Sequence, residues 1–439
     1  MKTKVLSVFV ILATLLSLTT LAQAKNESQP LGSTPFFVPD MTEAVFGEDL
    51  VVPEGVEALA AMPERIPFWV DLVDGELVPN DGAGVYVAVL DTGLVSQWPF
   101  FFSQASIAWE LGKGFTHDLY WDDVVGDVMI GPLRDDRGFI TGLASGHGTH
   151  VTSTIVGYNV NNLYWVKGVA PRATIIPVLV LDAWEVATPY GPVRLSGGTD
   201  EMISAGIHYV ADLSETLDGP VVINMSLGGP DRSAMIEEAV DYAISKGVLV
   251  VASAGNEGTD GMGYPGGLPQ VISTGAGGWA DMFNMGWQAD VPEKLNSKDS
   301  LGNNWQIYLE DFSSRPNKDL GQKKPDLDLS APGAWIVGPY RPAFSTSLSY
   351  YYVSGTSMAA PHVTAIAALV LQSYPDLTQA QMEKILVDAA HGLPFAADDA
   401  IVAYPFEEPY YYTAIWNGGD YGAGFLQADA ALVEAAKGR

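Results

Sequence analysis

The sequence predicts an α/β protein in three layers, with a mostly parallel central sheet and helices on both faces. Three observations carry this. Apolar runs of strand length recur without alternation: Val85 to Leu90 in GVYVAVLDTG, then ATIIPVLVL (173–181), VVINMSL (221–227) and VLVVASAG (248–255). A strand wet on one face alternates, whereas an unbroken run fits a strand covered on both. Helix-period segments lie between the runs: HVTSTIVGY, TDEMISAGIHYVADL and SAMIEEAVDYAISKG. Finally, the 439 residues are 48% hydrophobic with 46 glycines, enough for a sizeable core and many turns. Strand and helix in alternation give a parallel sheet wrapped by helices, with ligands beyond the carboxyl ends of its strands.

Taken in order, the chain starts with MKTK, an apolar VLSVFVILATLLSLTTL and an Ala22-Gln23-Ala24 cleavage pattern. These predict a secretion signal over residues 1–24, removed on export. An uncleaved membrane anchor is the alternative, since the run is near spanning length. No later segment is long and apolar enough to span. Residues 25–81 are rich in proline and weak in periodicity, and read as an extended or partly helical arm or short pro-segment. The main domain runs from 82 to 439. Within it, the Asp-, Asn- and Lys-rich stretch near 281–330 reads as a surface insertion. The tail closes with two helical patterns, LTQAQMEKILVDAA and GFLQADAALVEAA.

Fifty-two acidic residues against 22 basic ones give a formal charge of −30. Such a field repels phosphate backbones and anionic lipid, so nucleic acid and membrane surfaces are excluded as expected partners. It leaves a solvated acidic surface or divalent cation binding. With no cysteine, disulfides, thiolate metal sites and cysteine nucleophiles are excluded.

Chemistry concentrates in three short stretches. In SGTSMAAPHV (354–363), glycine and small residues lead into a helical pattern, placing Ser357 at a helix N-terminus. There it is either a capping serine or a nucleophile beside free N–H groups and the positive end of a helix dipole. A nucleophilic serine needs a base and a carboxylate to orient that base. His147 lies between glycines in SGHGTHV, where a turn becomes a helix. A zinc reading of His147 and His150 lacks the glutamate that would follow the first histidine, because Gly148 stands there. His362 reads as a packing residue. Asp91 ends the first strand and is a turn residue or a functional acid.

VAVLDTG, SGHGTHV and SGTSMAAPHV, in that order, resemble the signature segments of the subtilisin-like serine peptidases, the subtilases. VVINMSLGGP, VLVVASAGNEG, KPDLDLSAPG and YGAGFLQADAA extend the resemblance from about residue 82 to 435. It implies a secreted endopeptidase of subtilisin-like fold. Ser357 is implied as nucleophile, His147 as proton carrier and Asp91 as its orienting carboxylate. Asn256 is implied to donate to the oxyanion alongside the Ser357 N–H. Ser226, Leu227 and Gly228 would form a strand to which an extended peptide adds. Ala254, Gly255 and Gly263 would line a primary pocket suited to large apolar side chains, with Glu257 at its rim.

The implied partners are protein or peptide substrates, with the chain a monomer. No cofactor is needed for chemistry. Structural calcium stays open, but the acid of its usual site is missing near WPFF (98–101), leaving Asn159, Asn161 and Asn162 as oxygen donors. The carboxylates of 118–136 are calcium ligands or a solvated acidic loop. Two rival functions are a catalytically silent peptide-binding member of this fold and a nucleophile-elbow hydrolase. The second needs G-x-S-x-G, which GTSMA does not fit.

Overall fold

The computed structural model describes residues 62–279, 297–298, 304–305, 307–390, 399–404 and 410–438. The expected signal over 1–24 and the arm up to residue 61 lie outside the described residues, as does most of 281–306. In chain order the first strands are β1 (Glu64–Arg65), β2 (Tyr86–Asp91), β3 (Lys113–Asp122), β4 (Asp127–Arg137), β5 (Gly157–Val160), β6 (Tyr164–Lys167) and β7 (Thr174–Leu179). Then come β8 (Asp182–Thr188), β9 (Gly191–Gly197), β10 (Val221–Met225), β11 (Leu249–Ser253), β12 (Ile272–Trp279), β13 (Ser297–Lys298) and β14 (Asn304–Trp305). The last are β15 (Ile307–Leu309), β16 (Leu329–Pro332), β17 (Ile336–Tyr340), β18 (Ser349–Val353), β19 (Asp399–Tyr404) and β20 (Tyr410–Ile415). The α-helices are α1 (Phe68–Asp71), α2 (Trp98–Phe101), α3 (His147–Val156), α4 (Asp200–Ser214), α5 (Ala234–Ser245), α6 (Thr356–Ser373), α7 (Gln379–Ala389) and α8 (Ala428–Lys437).

A nine-stranded sheet organises them in the order β15-β12-β11-β10-β2-β7-β3-β4, with β16 also paired to β12. Its middle is parallel, and antiparallel pairs occur where β4 joins β3 and β15 joins β12. The strand period of two splits each strand between two cores. Along β2, Val87 and Val89 face the core formed with α3, α6, α7 and α8. Ala88 and Leu90 face the core formed with α4 and α5. This is the three-layer arrangement the unbroken apolar runs predict. Helix starts are fixed locally: Thr199 and Ser233 accept from Met202 N–H and Ile236 N–H, capping α4 and α5.

The described part of the 25–81 stretch is packed on the domain. Glu64 and Arg65 pair in parallel with β6, and Trp69, Val70, Leu72 and Val73 are buried in the core. Ala428 N–H donates to Val73 O at 2.8 Å, tying α8 to this segment. A correction applies to the surface insertion read over 281–330. Two parts of it are core, with Ile307, Tyr308 and Leu309 buried on β15 and Leu329 and Ala331 on β16, while 318–321 and 323–325 are exposed. The three-residue β15 is shorter than the strand-length run that sequence reading looks for. The acidic 118–136 stretch is likewise structured, as the β3–β4 hairpin, where Arg134 pairs with Asp118 and Asp136.

At the end of this region Asp328 is buried and accepts from Ser273 N–H at 2.7 Å and Ser273 Oγ at 2.9 Å. Burial pushes its carboxyl from 3.8 up to about 7. A raised pKa means the folded state holds the proton longer than the unfolded one. Stability is therefore full below pH 3.8 and falls as pH rises through about 7. Asp328→Asn is expected to lose less stability than wild type between pH 4 and pH 8. At about 1.4 kcal/mol per unit the gap is a few kcal/mol at most, read by denaturant melts at both pH values.

Candidate active site

The site assembles where β2, α3 and α6 meet at the carboxyl ends of the parallel strands. Asp91 is the last residue of β2 and fully buried. Both its carboxylate oxygens lie 2.9 Å from His147 Nδ1, and Oδ1 also accepts from Thr92 N–H at 2.6 Å. The Thr92 N–H and the imidazole meet at this buried carboxylate, which holds the ring with the proton on Nδ1. This approach needs Gly148, because a Cβ there would lie 2.4 Å from Gly93 O and 3.1 Å from Asp91. Thr92 Oγ1 accepts from Gly148 N–H at 3.0 Å, closing the corner.

His150, one turn along α3, places Nε2 3.0 Å from Ile336 O. Burial drives it down to about 3, so it stays neutral behind His147. His362 faces Met358 O through Nδ1 at 2.8 Å within α6 and is likewise pushed down to about 3 by burial. It is the packing residue that the apolar helix suggests.

Ser357 is the second residue of α6 and 1% exposed. Its Oγ donates to Ser226 O at 3.1 Å, while His147 Nε2 is buried without a hydrogen-bond partner. The structure thus brings Asp91 to His147 and turns the serine hydroxyl to the opposite wall. The carbonyl of Ser357 has its own problem. Pro361, four residues on, has no N–H to give it. Ser226 Oγ supplies the missing donor at 2.7 Å. Asn224 Nδ2 donates to Ser226 Oγ at 3.0 Å, and Thr364 Oγ1 donates to Asn224 Oδ1 at 2.9 Å. A buried hydroxyl–amide chain therefore couples β10 to α6.

Asn256 stands half-exposed at the mouth, with its Oδ1 accepting from Thr356 N–H at 2.9 Å and Thr356 Oγ1 at 3.0 Å. Both contacts fix the amide oxygen on Thr356, the residue before Ser357. Thr356 is a residue that sequence reading missed. Its hydroxyl also accepts from Gly255 N–H at 3.1 Å, across a separation of 101 residues that no local pattern signals.

Ser226 and Leu227 are buried beyond β10 and Gly228 is half-exposed. Gly229 next to them exchanges backbone hydrogen bonds with Tyr264 at 2.9 and 2.8 Å. Ala254 O accepts from Gly263 N–H at 2.8 Å, so the expected pocket segments 254–255 and 263 lie side by side. A Cβ on Gly255, whose φ is +106°, would meet Glu257 Oε2 at 2.5 Å. That carboxylate is held by Asn256 N–H at 2.7 Å and Ser314 Oγ at 3.0 Å.

A helix-borne serine, an imidazole on a buried carboxylate and a fixed amide, gathered beyond the ends of parallel strands, mark out a hydrolase of the three-layer α/β class. The chain matches the Subtilase family over residues 82–405, and it belongs to that family. It is 28% identical over 337 residues to subtilisin DY of Bacillus licheniformis, covering 75% of this chain and 93% of that protein. It is 35% identical over 334 residues to subtilisin NAT of Bacillus subtilis subsp. natto, covering 74% of this chain and 66% of that protein. Among solved structures, an S41 psychrophilic protease superposes with a TM-score of 0.53 at 26% identity, over 84% of this chain and 99% of that one. The protein is a subtilisin-type serine endopeptidase.

Removing the Ser226 hydroxyl strands the Ser357 carbonyl in a dry site. Ser226→Ala is expected to cost about 1–3 kcal/mol, the penalty for an unpaired buried polar group. Urea unfolding of the variant beside wild type measures it.

Proposed function

We propose that the protein is a secreted endopeptidase that cuts extracellular proteins through Asp91, His147 and Ser357. The observation that carries this reading is the Asp91–His147 contact at 2.9 Å, with Ser357 at the N-terminus of α6. Ser357 Oγ attacks the scissile carbonyl carbon while its proton passes to His147 Nε2. The same proton then goes to the leaving amine as the C–N bond breaks, leaving an acyl-enzyme. Water then attacks the acyl carbon and gives a proton to His147, which passes it to Ser357 Oγ as the ester C–O bond breaks and the acid leaves. Asp91 keeps the imidazole in the right tautomer and stabilises its cation. The Asn256 amide and the Ser357 N–H receive the negative charge that develops on the attacked oxygen.

Substrate entry has a defined consequence for the nucleophile. A peptide laid in extended form along Ser226, Leu227 and Gly228 brings a backbone N–H to Ser226 O. That N–H takes the acceptor that Ser357 Oγ holds in the free protein, and the hydroxyl turns to His147 Nε2. Ala254, Gly255 and Gly263 carry no bulk into the primary pocket, which favours large apolar side chains before the cleaved bond. Secretion follows from the 1–24 signal, and the substrates are proteins or peptides. Among the described residues no helix is long and apolar enough to cross a membrane.

No cofactor takes part in the chemistry. Near WPFF the residues do not fit a calcium ion: Asn159 Nδ2 donates to Phe100 O at 2.9 Å and Asn162 Oδ1 at 2.8 Å, so an amide joins groups a cation would bridge. Its Oδ1 is taken by Asn162 N–H at 2.9 Å.

A phosphonate directed at serine hydrolases is expected to label wild type once and Ser357→Ala not at all, read by intact mass. Labelling of the alanine variant, or of neither folded protein, removes Ser357 as nucleophile. Asn256→Ala is expected to lower kcat about 100- to 1000-fold with little change in KM, since the lost donor acts on charge absent from the bound substrate.

A further inference from the structure

Two long segments that the triad does not use flank the Asp91–His147 pair. One is the β8–β9 hairpin, which springs from beside Asp91: the N–H groups of Val180 and Leu181, just before β8, donate to Asp91 O at 2.8 and 3.1 Å. In β9, Arg194 pairs across the hairpin with Glu185 at 2.7 Å. The other is the loop 341–348 joining β17 to β18, which is fastened to the residues just before His147. Gly146 N–H donates to Arg341 O at 2.7 Å, and Phe344 N–H donates to Leu143 O at 2.8 Å. Arg341 Nη2 donates to Gly142 O and Ala144 O, both at 2.6 Å.

Phe344 holds φ at +58°, a left-handed conformation costly for a bulky residue. Its ring meets the Arg194 guanidinium 5.3 Å from the centroid, a cation–π distance. The contact therefore joins the hairpin beside Asp91 to the loop beside His147. Between these two segments, His147 is 3% exposed and its Nε2 is buried without a hydrogen-bond partner, while Ser357 is 1% exposed. An acyl-transfer centre in that state admits no scissile bond. Something at the rim has to move, and the strained Phe344 loop, joined to the hairpin by one contact between partly exposed side chains, is the element built to do so.

We propose that Arg194 and Phe344 are specificity-determining residues of this peptidase: their contact roofs the His147 side of the cleft, and a polypeptide reaches Ser357 only when that roof parts. This rests on Ser357 being the nucleophile. A roofed cleft selects flexible, unfolded segments that slip in during an opening and disfavours rigid loops of folded proteins.

The test is the second-order rate of labelling by an extended peptidyl diphenyl phosphonate with phenylalanine at the reacting position. Arg194→Ala and Phe344→Gly are each expected to label at least three times faster than wild type, and the double variant no faster than the faster single. Glycine suits the positive φ, so Phe344→Gly removes the ring without straining the loop. Glu185→Gln, which breaks the ion pair but leaves Arg194 over Phe344, is expected to label at the wild-type rate. Thermal midpoints check folding, and Arg194→Gln replaces the alanine variant if that one melts early. Unchanged or slower labelling of the Arg194 and Phe344 variants overturns the roof, as does equal acceleration by Glu185→Gln. Labelling of no protein in the set, wild type included, overturns the nucleophile as well as the roof resting on it.

Discussion

A carboxylate with no exposed surface is the constraint on which the site depends. Asp91 ends a strand covered on both faces, and an ion taken that far from water is tolerable only if donors surround it. Two come from the protein, the Thr92 N–H and the Nδ1–H of His147. Each requires the chain to come unusually close. The glycine after His147 exists because any side chain there would strike Gly93 O. The imidazole is thus part of the solution to a buried charge, and its tautomer follows from that. Nε2 is left as the ring's basic nitrogen, buried without a hydrogen-bond partner.

The opposite wall follows from a second electrostatic problem. A helix with proline at its sixth position leaves one carbonyl in its first turn unpaired, and that carbonyl belongs to Ser357. Ser226 closes the gap from β10, with Asn224 and Thr364 behind it. The same residue's own carbonyl then receives the Ser357 hydroxyl. Ser357 and the end of β10 are therefore locked together, and the helix N-terminus cannot drift from the strand without breaking a buried network. Proline in the helix, which looks like a defect, registers the serine against its neighbour.

How much of this was legible in the sequence depends on the range of the interaction. The strands β2, β7, β10 and β11 coincide closely with the unbroken apolar runs, because burial on both faces removes the alternation and leaves a clear signal. Asp91, His147 and Ser357 were visible through their glycine-rich settings. The short β15 was not, because three residues give no period to read. Neither was Thr356 as the clamp of Asn256, a contact made 100 residues away. Hydroxyls that serve as internal donors look the same in a sequence as those that cap turns. The β8–β9 hairpin carries cross-strand pairs such as Glu185 with Arg194, but its mixed composition gave no element to name in the sequence.

That hairpin shows why extra length in this fold falls where it matters. In a parallel sheet the loops at the carboxyl ends all rise around the site, so a longer connection after β7 has no route that avoids the rim. The loop 341–348 is placed on the same rim by its bonds to the residues preceding His147. Once both are long enough, an aromatic and a guanidinium meet at a cation–π distance of 5.3 Å. The chemistry at the base of the cleft comes from short, rigid segments, while access to it is set by long ones whose side chains meet at a single point. A contact of that kind is weak enough to open at room temperature, which is what a roof that admits only flexible segments requires.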